Sequence, residues 1–372
     1  MNLFVIGARS FPGVQGGIEK HCEEVYPLLA NNINITVLTS RQPKYKKWNN
    51  IRFIKMPALK GIKFEKITYA ISSLIYIFFS RPDAVHIQGL NSALIIPLIR
   101  ISSIKVIYTQ HSMDYLYPKW GRIAKAVLLL SEYCGSKANL ITVVSPLIQK
   151  RILIKYNKNS IISYNGVSMA GNKRAIAKEN LFDHFLKKKF LLFVGRITPE
   201  KDLLTLIDAF KHVSAIDEDL HLVIVGNIND DNGPYIELIK VSIKNLHGKV
   251  ILSGEIDNSY LPIIYSSSRL FILPSKFEAF GVVVLEAIYN QCQVLLSDID
   301  ALRQFDFLPD KCFFKTGTVD DLAEKILNLV NQPLSSDKLI NFKQIIESRY
   351  SWSQTASIYD GIYKGDLPVK PR

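Results

Sequence analysis

The residues of this chain best suited to chemistry fall in three places. The first is Gly13-Val14-Gln15-Gly16-Gly17, which follows a short apolar run and leads into a helix-like stretch. Adjacent glycines let backbone N–H groups approach a ligand closely, and a helix N-terminus adds partial positive charge suited to phosphate. The spacing is neither the GxGxxG of dinucleotide folds nor a Walker A loop, and a tight turn needing positive φ explains it equally well. The second is Gly195-Arg196-Ile197-Thr198-Pro199-Glu200-Lys201, directly behind the apolar run 190–194. Arg196 leaves the strand end and Lys201 sits near the start of the next helix, so both cations can converge on one anion, as a diphosphate leaving group requires. Two solvated surface cations are the plainer alternative.

The third place is the most telling: Pro274-Ser275-Lys276-Phe277-Glu278-Ala279-Phe280-Gly281-Val282-Val283-Val284-Leu285-Glu286-Ala287. Glu278 falls in a loop, and Glu286 falls in an apolar helix that Gly281 helps to open. A carboxylate set among valines and leucine needs a partner, because burying it alone is costly. Sugar or ribose hydroxyls can be that partner, and so can an internal salt bridge, the usual answer for one glutamate in isolation. His111, in Tyr108-Thr109-Gln110-His111-Ser112 at a strand end, reads on its own as structural. Asp298-Ile299-Asp300 has the spacing of a metal-binding Asp-x-Asp. It follows a strand, however, where a capping or loop role is the expectation, so no metal is expected.

Two trains of alternating strands and helices must position these residues. Strand-like runs at 3–6, 35–39, 84–87 and 106–109 alternate with helix-like stretches, of which one covers 17–30. A second train has strands at 190–194, 221–225, 250–253, 270–273 and 293–296. Such alternation builds parallel sheets with helices on both faces, so the expected fold class is α/β with two Rossmann-like, doubly wound domains. The polar, Lys-rich stretch 171–189 suits a connection between them. The expected domains are 1–172 and 173–350, followed by 351–372. That last segment carries a helix from about 353 to 363, with Ile358, Tyr359 and Ile362 on one face, that packs back on the first domain.

Composition narrows the function classes. The four cysteines (Cys22, Cys134, Cys292, Cys312) have no CxxC pairing, which argues against a disulfide framework or a zinc site and fits a reducing cytoplasm. The N-terminus reads as a buried strand rather than a secretory signal. Net charge is +13, and residues 1–170 hold 22 Lys and Arg against 7 Asp and Glu, so the surplus lies in the N-terminal half. No aromatic-interleaved basic motif or zinc-finger spacing supports nucleic acid as the partner. An anionic membrane surface is the expected one. The apolar run 67–80, bracketed by Lys63, Lys66 and Arg81, is too short to span a bilayer but can rest on one; a core helix packed on the sheet is the alternative.

Taken together, these motifs resemble glycosyltransferase family 4, of the GT-B architecture with two Rossmann-like domains facing a central cleft. The Gly16-Gly17 loop, the Gly195-Arg196 to Glu200-Lys201 loop and the Glu278/Glu286 pair stand in that family's order and separations. Ser145, Asn165-Gly166-Val167 and Trp352 extend the resemblance along the chain. It is similar in particular to bacterial enzymes of O-antigen and capsule assembly with loops like Phe11-Pro12-Gly13-Val14-Gln15-Gly16-Gly17-Ile18-Glu19, some of which transfer rhamnose. The resemblance implies that Arg196 and Lys201 hold the donor diphosphate, Glu286 the ribose and Glu278 hydroxyls of the transferred sugar. Backbone amides of Gly16, Gly17, Gly281 and Val282 complete the cradle, and His111 becomes an active-site histidine facing the donor sugar. Three positions depart from the family's pattern: Ser168 replaces a frequent Asp, Asp202 a common Gly, and Ala279 a frequent Gly.

The implied activity is retaining, metal-independent transfer of a hexosyl or deoxyhexosyl group from a nucleoside diphosphate sugar. The acceptor is an undecaprenyl-linked saccharide at the inner face of the cell membrane, and no cofactor is needed beyond the donor. Two other readings stay open on residues alone: a sugar-nucleotide epimerase of the same architecture, and a non-catalytic subunit of a polysaccharide assembly complex.

Overall fold

A computed structural model describes residues 1–14, 16–29, 31, 33–59, 65–117, 120–167, 186, 188–228, 233–246 and 248–366. Ser168, Lys63, the Lys66 side chain and most of the connection at 171–189 lie outside the described residues. The chain divides into two units, Met1–Ser168 with Ser351–Arg372, and Met169–Tyr350.

In the first unit the strands are β1 (Asn2–Ile6), β2 (Asn34–Thr39), β3 (Lys47–Trp48), β4 (Ile51–Lys55), β5 (Ala84–Gln88), β6 (Lys105–Gln110), β7 (Leu140–Val143) and β8 (Ile161–Ile162). They form one sheet in the order β3-β4-β2-β1-β5-β6-β7-β8, parallel except for the β3–β4 pair. Their apolar runs are buried almost throughout, as a sheet covered on both faces demands. The helices are α1 (Gly17–Leu29), α2 (Glu65–Ser80), α3 (Ile96–Ile99), α4 (Arg122–Gly135) and α5 (Pro146–Tyr156). The sequence pattern misses β3, β4, β7 and β8. Two of these are only two residues long, and four residues of β7 carry too little period to separate strand from helix.

Strand order reverses between β1 and β5, so the loops after those strands open at the place where such sheets bind ligands. The closing helix, Trp352–Lys364, belongs to this core: Trp352, Tyr359, Ile362 and Tyr363 cluster with Leu3, Val25, Tyr26 and Ile107. It starts at Trp352, one residue before the expected boundary, because the Ser351 hydroxyl accepts the Gln354 N–H and caps it.

The second unit repeats the plan. Its strands are β9 (Lys189–Val194), β10 (Leu220–Val225), β11 (Val250–Gly254), β12 (Leu270–Leu273), β13 (Val294–Ser297) and β14 (Phe313–Phe314). All neighbours are parallel, in the order β11-β10-β9-β12-β13-β14. The reversal lies between β9 and β12, where Phe271 aligns with Leu192. Gly195 and Pro274 therefore leave the sheet side by side. The helices α6 (Leu203–Ile216), α7 (Gly233–Ile243), α8 (Leu261–Ser267), α9 (Val282–Tyr289), α10 (Asp300–Arg303), α11 (Val319–Asn331) and α12 (Ser336–Arg349) fill the crossovers; the closing helix of the first unit is α13. The run expected at 293–296 sits one residue later, and the Gln293 side-chain amide donates to the Arg269 and Leu329 carbonyls at 2.7 and 3.0 Å.

Candidate functional site

The loop after β9 is anchored by Ile197, Thr198 and Glu200, all buried, while Arg196 points outward with its side chain 57% exposed. A 3₁₀ turn, Pro199–Lys201, brings the chain to Asp202, whose φ of 51° opens α6 in the left-handed region. This is one of the three positions that depart from the pattern the sequence otherwise resembles. The strained conformation is held by two contacts of the Asp202 carboxylate: Thr205 Oγ1 at 2.9 Å and Lys276 Nζ at 2.8 Å. Lys276 comes from the loop after β12 and also donates its backbone N–H to the Glu200 carbonyl at 2.9 Å. The two loops are thus stitched together.

Arg196 and Lys201, expected to converge on one anion, each stand beside a carboxylate. Lys201 is ion-paired with Glu278, the side chains being only 12% and 10% exposed, and Arg196 Nη2 lies 3.7 Å from Glu200. Glu278 Oε1 also accepts the Ser275 hydroxyl at 2.8 Å, so the internal salt bridge is found at the first glutamate of the pair. Three cations, Arg196, Lys201 and Lys276, each face an acid, and two of the pairs cross between loops. The Thr198 hydroxyl in the same loop is buried with no hydrogen-bond partner among the described residues.

Gly281, with φ of 91°, is the N-cap of α9; a Cβ there would meet Leu302 Cδ2 at 3.0 Å as well as being strained. The N–H groups of Val282 and its neighbour open the helix and lack intrahelical acceptors by geometry. Glu286, on the same helix and half-buried, accepts the Tyr265 hydroxyl at 3.1 Å. Tyr265 is fully buried, and its own acidity is suppressed by burial and by that carboxylate. Asp298 takes a hydrogen bond from Arg303 Nε at 2.5 Å, which lowers its pKa, and Asp300 sits in the first turn of α10. Among the described residues no group of three or more His, Cys, Asp and Glu is placed to hold a metal.

The remaining expected residues, Gly16, Gly17 and His111, lie in the first unit. Gly16 has a φ of 149°, where a side chain is strained, and a Cβ would fall 1.9 Å from Glu19 Oε2, which would have to move. Glu19, on α1, is buried and accepts the Arg9 backbone N–H at 3.1 Å and Arg9 Nε at 2.9 Å, tying the loop after β1 to the helix that Gly17 opens. His111 follows β6. Its Nε2 is 2.6 Å from Gln88 Oε1, and Gln88 Nε2 donates to Tyr26 Oη at 2.6 Å, so the His111 proton is on Nε2. The other nitrogen, Nδ1, is buried without a partner among the described residues.

Sequence reasoning missed the setting of this histidine. His21 on α1 stands edge-on to it at 4.9 Å between ring centroids, and donates from Nδ1 to Asn165 Oδ1 at 3.0 Å. His86 bonds Tyr26, Tyr363 and Thr109. Burial lowers all three histidines, His21 to about 4 and the other two well below the ordinary imidazole value, with mutual repulsion adding to the shift of His86 and His111. All three are neutral near pH 7. The alternation of His86 and Gln88 on β5 was the available signal, a polar face where a buried parallel strand should be apolar.

Comparison with known proteins decides the family. Residues 15–170 match the family described as Glycosyltransferase Family 4, and residues 176–345 match Glycosyl transferases group 1. The chain belongs to the family 4 glycosyltransferases. It is similar to the N-acetylgalactosamine-N,N'-diacetylbacillosaminyl-diphospho-undecaprenol 4-alpha-N-acetylgalactosaminyltransferase of Campylobacter jejuni, 29% identical over 67% of this chain and 64% of that one. It is similar as well to a capsular polysaccharide biosynthesis glycosyltransferase of Staphylococcus aureus, 22% identical over 96% of both chains. The sucrose-phosphate synthase structure from Thermosynechococcus elongatus superposes with a TM-score of 0.82 over 98% of both chains at 18% identity, which shows the GT-B fold. This glycosyltransferase is therefore of the GT-B type and related to enzymes of capsule and lipopolysaccharide biosynthesis; the matches favour neither the epimerase nor the non-catalytic subunit.

Proposed function

We propose that this glycosyltransferase moves a hexosyl or deoxyhexosyl group, rhamnosyl among the candidates, from a nucleoside diphosphate sugar to a lipid-linked saccharide with retention of configuration. The observation that carries the reading is the placement of Arg196 and Lys201 on the loop after β9, next to the Glu278 loop after β12, at the switch point of the second sheet. Breaking a glycosyl phosphate bond builds charge on the departing diphosphate, and fixed cations with helix-terminal amides stabilise it without reorganising. In this reading Arg196, Lys201 and the amides at Gly281 and Val282 hold the diphosphate, Glu286 the ribose and Glu278 the transferred sugar. The positive charge comes from side chains, so the reaction takes no metal and no further cofactor.

His111 contributes a lone pair rather than a proton. Held neutral with its proton on Nε2, it accepts a sugar hydroxyl at Nδ1. Glu278 serves the sugar by hydrogen bonding rather than as a nucleophile, and retention then comes from attack on the face the diphosphate leaves, with a phosphate oxygen taking the acceptor's proton.

An anionic membrane as partner is supported by the cationic surplus of residues 1–170 and by two exposed apolar rows. On α2, Ile71, Ile75, Phe78 and Phe79 are exposed while Tyr69, Ser73 and Ile77 are buried, so one face of the apolar run serves the core and the other faces out. On α4, Ile123, Val127 and Leu130 form a row with Arg122 before it and Lys137 beyond, the latter 4.6 Å from the Tyr133 ring centroid. Among the described residues no helix is long and apolar enough to cross a membrane. Flotation should show binding to anionic vesicles and little to neutral ones; equal binding to both removes the electrostatic argument.

The reaction itself is tested by incubating the protein with a panel of nucleotide sugars and an undecaprenyl-diphosphate-linked saccharide. NMR of the product should show the donor's anomeric configuration. An inverted product contradicts retention, and interconversion of nucleotide sugars without acceptor restores the epimerase.

A further inference from the structure

The Lys201–Glu278 pair points to a coupling inside the donor site. Both groups are nearly buried, and each is one that the proposed function assigns to a different part of the donor: the ammonium to the diphosphate, the carboxylate to the sugar. We infer that diphosphate and Glu278 compete for the Lys201 ammonium, so that the site accepts a diphosphate readily only when a sugar is attached to satisfy the carboxylate.

The physics is that of a buried ion pair losing one partner. A diphosphate reaching Lys201 either draws the ammonium away from Glu278 or shares it, which places two anions on one cation. Both leave a carboxylate that is 10% exposed short of compensation, and Ser275 supplies a single hydroxyl proton. Hydroxyls of a hexose can donate to the freed carboxylate oxygen and restore the balance. A bare nucleoside diphosphate brings the anion without the hydroxyls.

The surrounding pairs keep the loops fixed while this exchange takes place. Lys276 holds Asp202 and the Glu200 carbonyl, so the β9 and β12 loops stay joined when Lys201 and Glu278 part. Arg196, more exposed and 3.7 Å from Glu200, gives up less to meet an incoming phosphate. The consequence is selection of intact donor over spent diphosphate, and easier release of the product once the sugar has gone.

The inference rests on the diphosphate clamp proposed above, and one double-mutant cycle separates the two. Inorganic pyrophosphate is a probe that needs no knowledge of base or sugar. Its affinity is measured calorimetrically for the full-length wild type, Glu278→Gln, Lys201→Ala and the double variant, with Glu278→Ala as a second replacement should glutamine disturb folding. Removing the carboxylate should tighten pyrophosphate roughly tenfold, within the usual span of coupling between sites, and the gain should vanish when Lys201 is absent. If Lys201→Ala weakens binding but neither Glu278 variant tightens it, the competition is overturned and the clamp stands. If Lys201→Ala leaves pyrophosphate binding unchanged, the clamp itself fails and takes the coupling with it.

Discussion

The two units carry polar groups at equivalent places, beyond the reversal point of a parallel sheet, yet they build them from opposite chemistry. The second unit gathers charges in pairs on two loops: Arg196 with Glu200, Lys201 with Glu278, Lys276 with Asp202. Beside one ion pair, Arg9 with Glu19, the first unit buries mainly neutral groups: His21, His86, His111, Gln88, Thr109 and the hydroxyls of Tyr26, Tyr359 and Tyr363. Charges that can change partners suit an anionic ligand that arrives and leaves. A neutral network locked by many hydrogen bonds suits recognition of hydroxyls, where direction matters more than field. The fully buried carboxylate of the first unit, Glu132, is committed to structure: it accepts Gln110, Tyr115, Arg151 and Tyr156 at 2.5 to 3.2 Å.

The contrast can be broken most severely at Arg196. Arg196→Ala should lower kcat by about 10²- to 10³-fold, the usual loss when one donor to developing charge is removed. Thermal unfolding of the same variant should hardly move, because the side chain is exposed. A stability loss as large as the catalytic one would make Arg196 part of the scaffold instead.

Glu132→Ala should do the reverse, costing on the order of 3 kcal/mol in stability, as removal of one partner from a buried ion pair does. Denaturant unfolding measures it. Burial alone would raise the Glu132 pKa, but hydrogen bonds from Arg151, Tyr115, Gln110 and Tyr156 bring it down to about 2. Its contribution is present above the unfolded value near 4.5 and is lost as pH falls towards 2.

Acid should distinguish the units earlier than that. Burial lowers the three histidines of the first unit, His21 to about 4 from the ordinary 6.5. The unfolded chain binds more protons than the folded one below pH 6.5, so stability falls with pH through that window. Hydrogen exchange at pH 5 compared with pH 7, corrected for intrinsic rates, should show β5, β6 and α1 opening more easily while β9 and β12 change less. Equal change in both sheets would remove the histidine network as the cause.

The mildest expected effect is that of Tyr265→Phe. It removes one hydroxyl donor from Glu286, worth about 1 kcal/mol, so donor KM should change by a few-fold with kcat preserved.

The sequence pattern located the long elements well for a physical reason. Runs such as 190–194 and 270–273 are buried on both faces and read as continuous apolar stretches bounded by Gly and Pro. The short edge strands β3, β8 and β14 pair at only two positions and leave no period to detect. Candidate residues stood out where type and local spacing suffice, as with Arg196 and Lys201 in one loop. Their partners did not, because pairing across 77 residues, as between Lys201 and Glu278, is a property of strand order. The same holds for Gln88 and His111, and for Asp202 and Lys276. Asp202 shows the limit most clearly: its departure from glycine is visible in the sequence, while the lysine that holds it in a left-handed conformation is visible only in the fold.

The central claim is that the second unit's charged loops, and not the first unit's histidine network, carry the donor's diphosphate. Calorimetric binding of a panel of nucleotide sugars to wild type, Lys201→Ala and His111→Ala tests it most directly. One donor should bind saturably to the wild type, bind at least roughly tenfold more weakly to Lys201→Ala, and lose only a few-fold in His111→Ala, the cost of a single neutral hydrogen bond. Unchanged affinity in Lys201→Ala, or a larger loss in His111→Ala, would contradict the account.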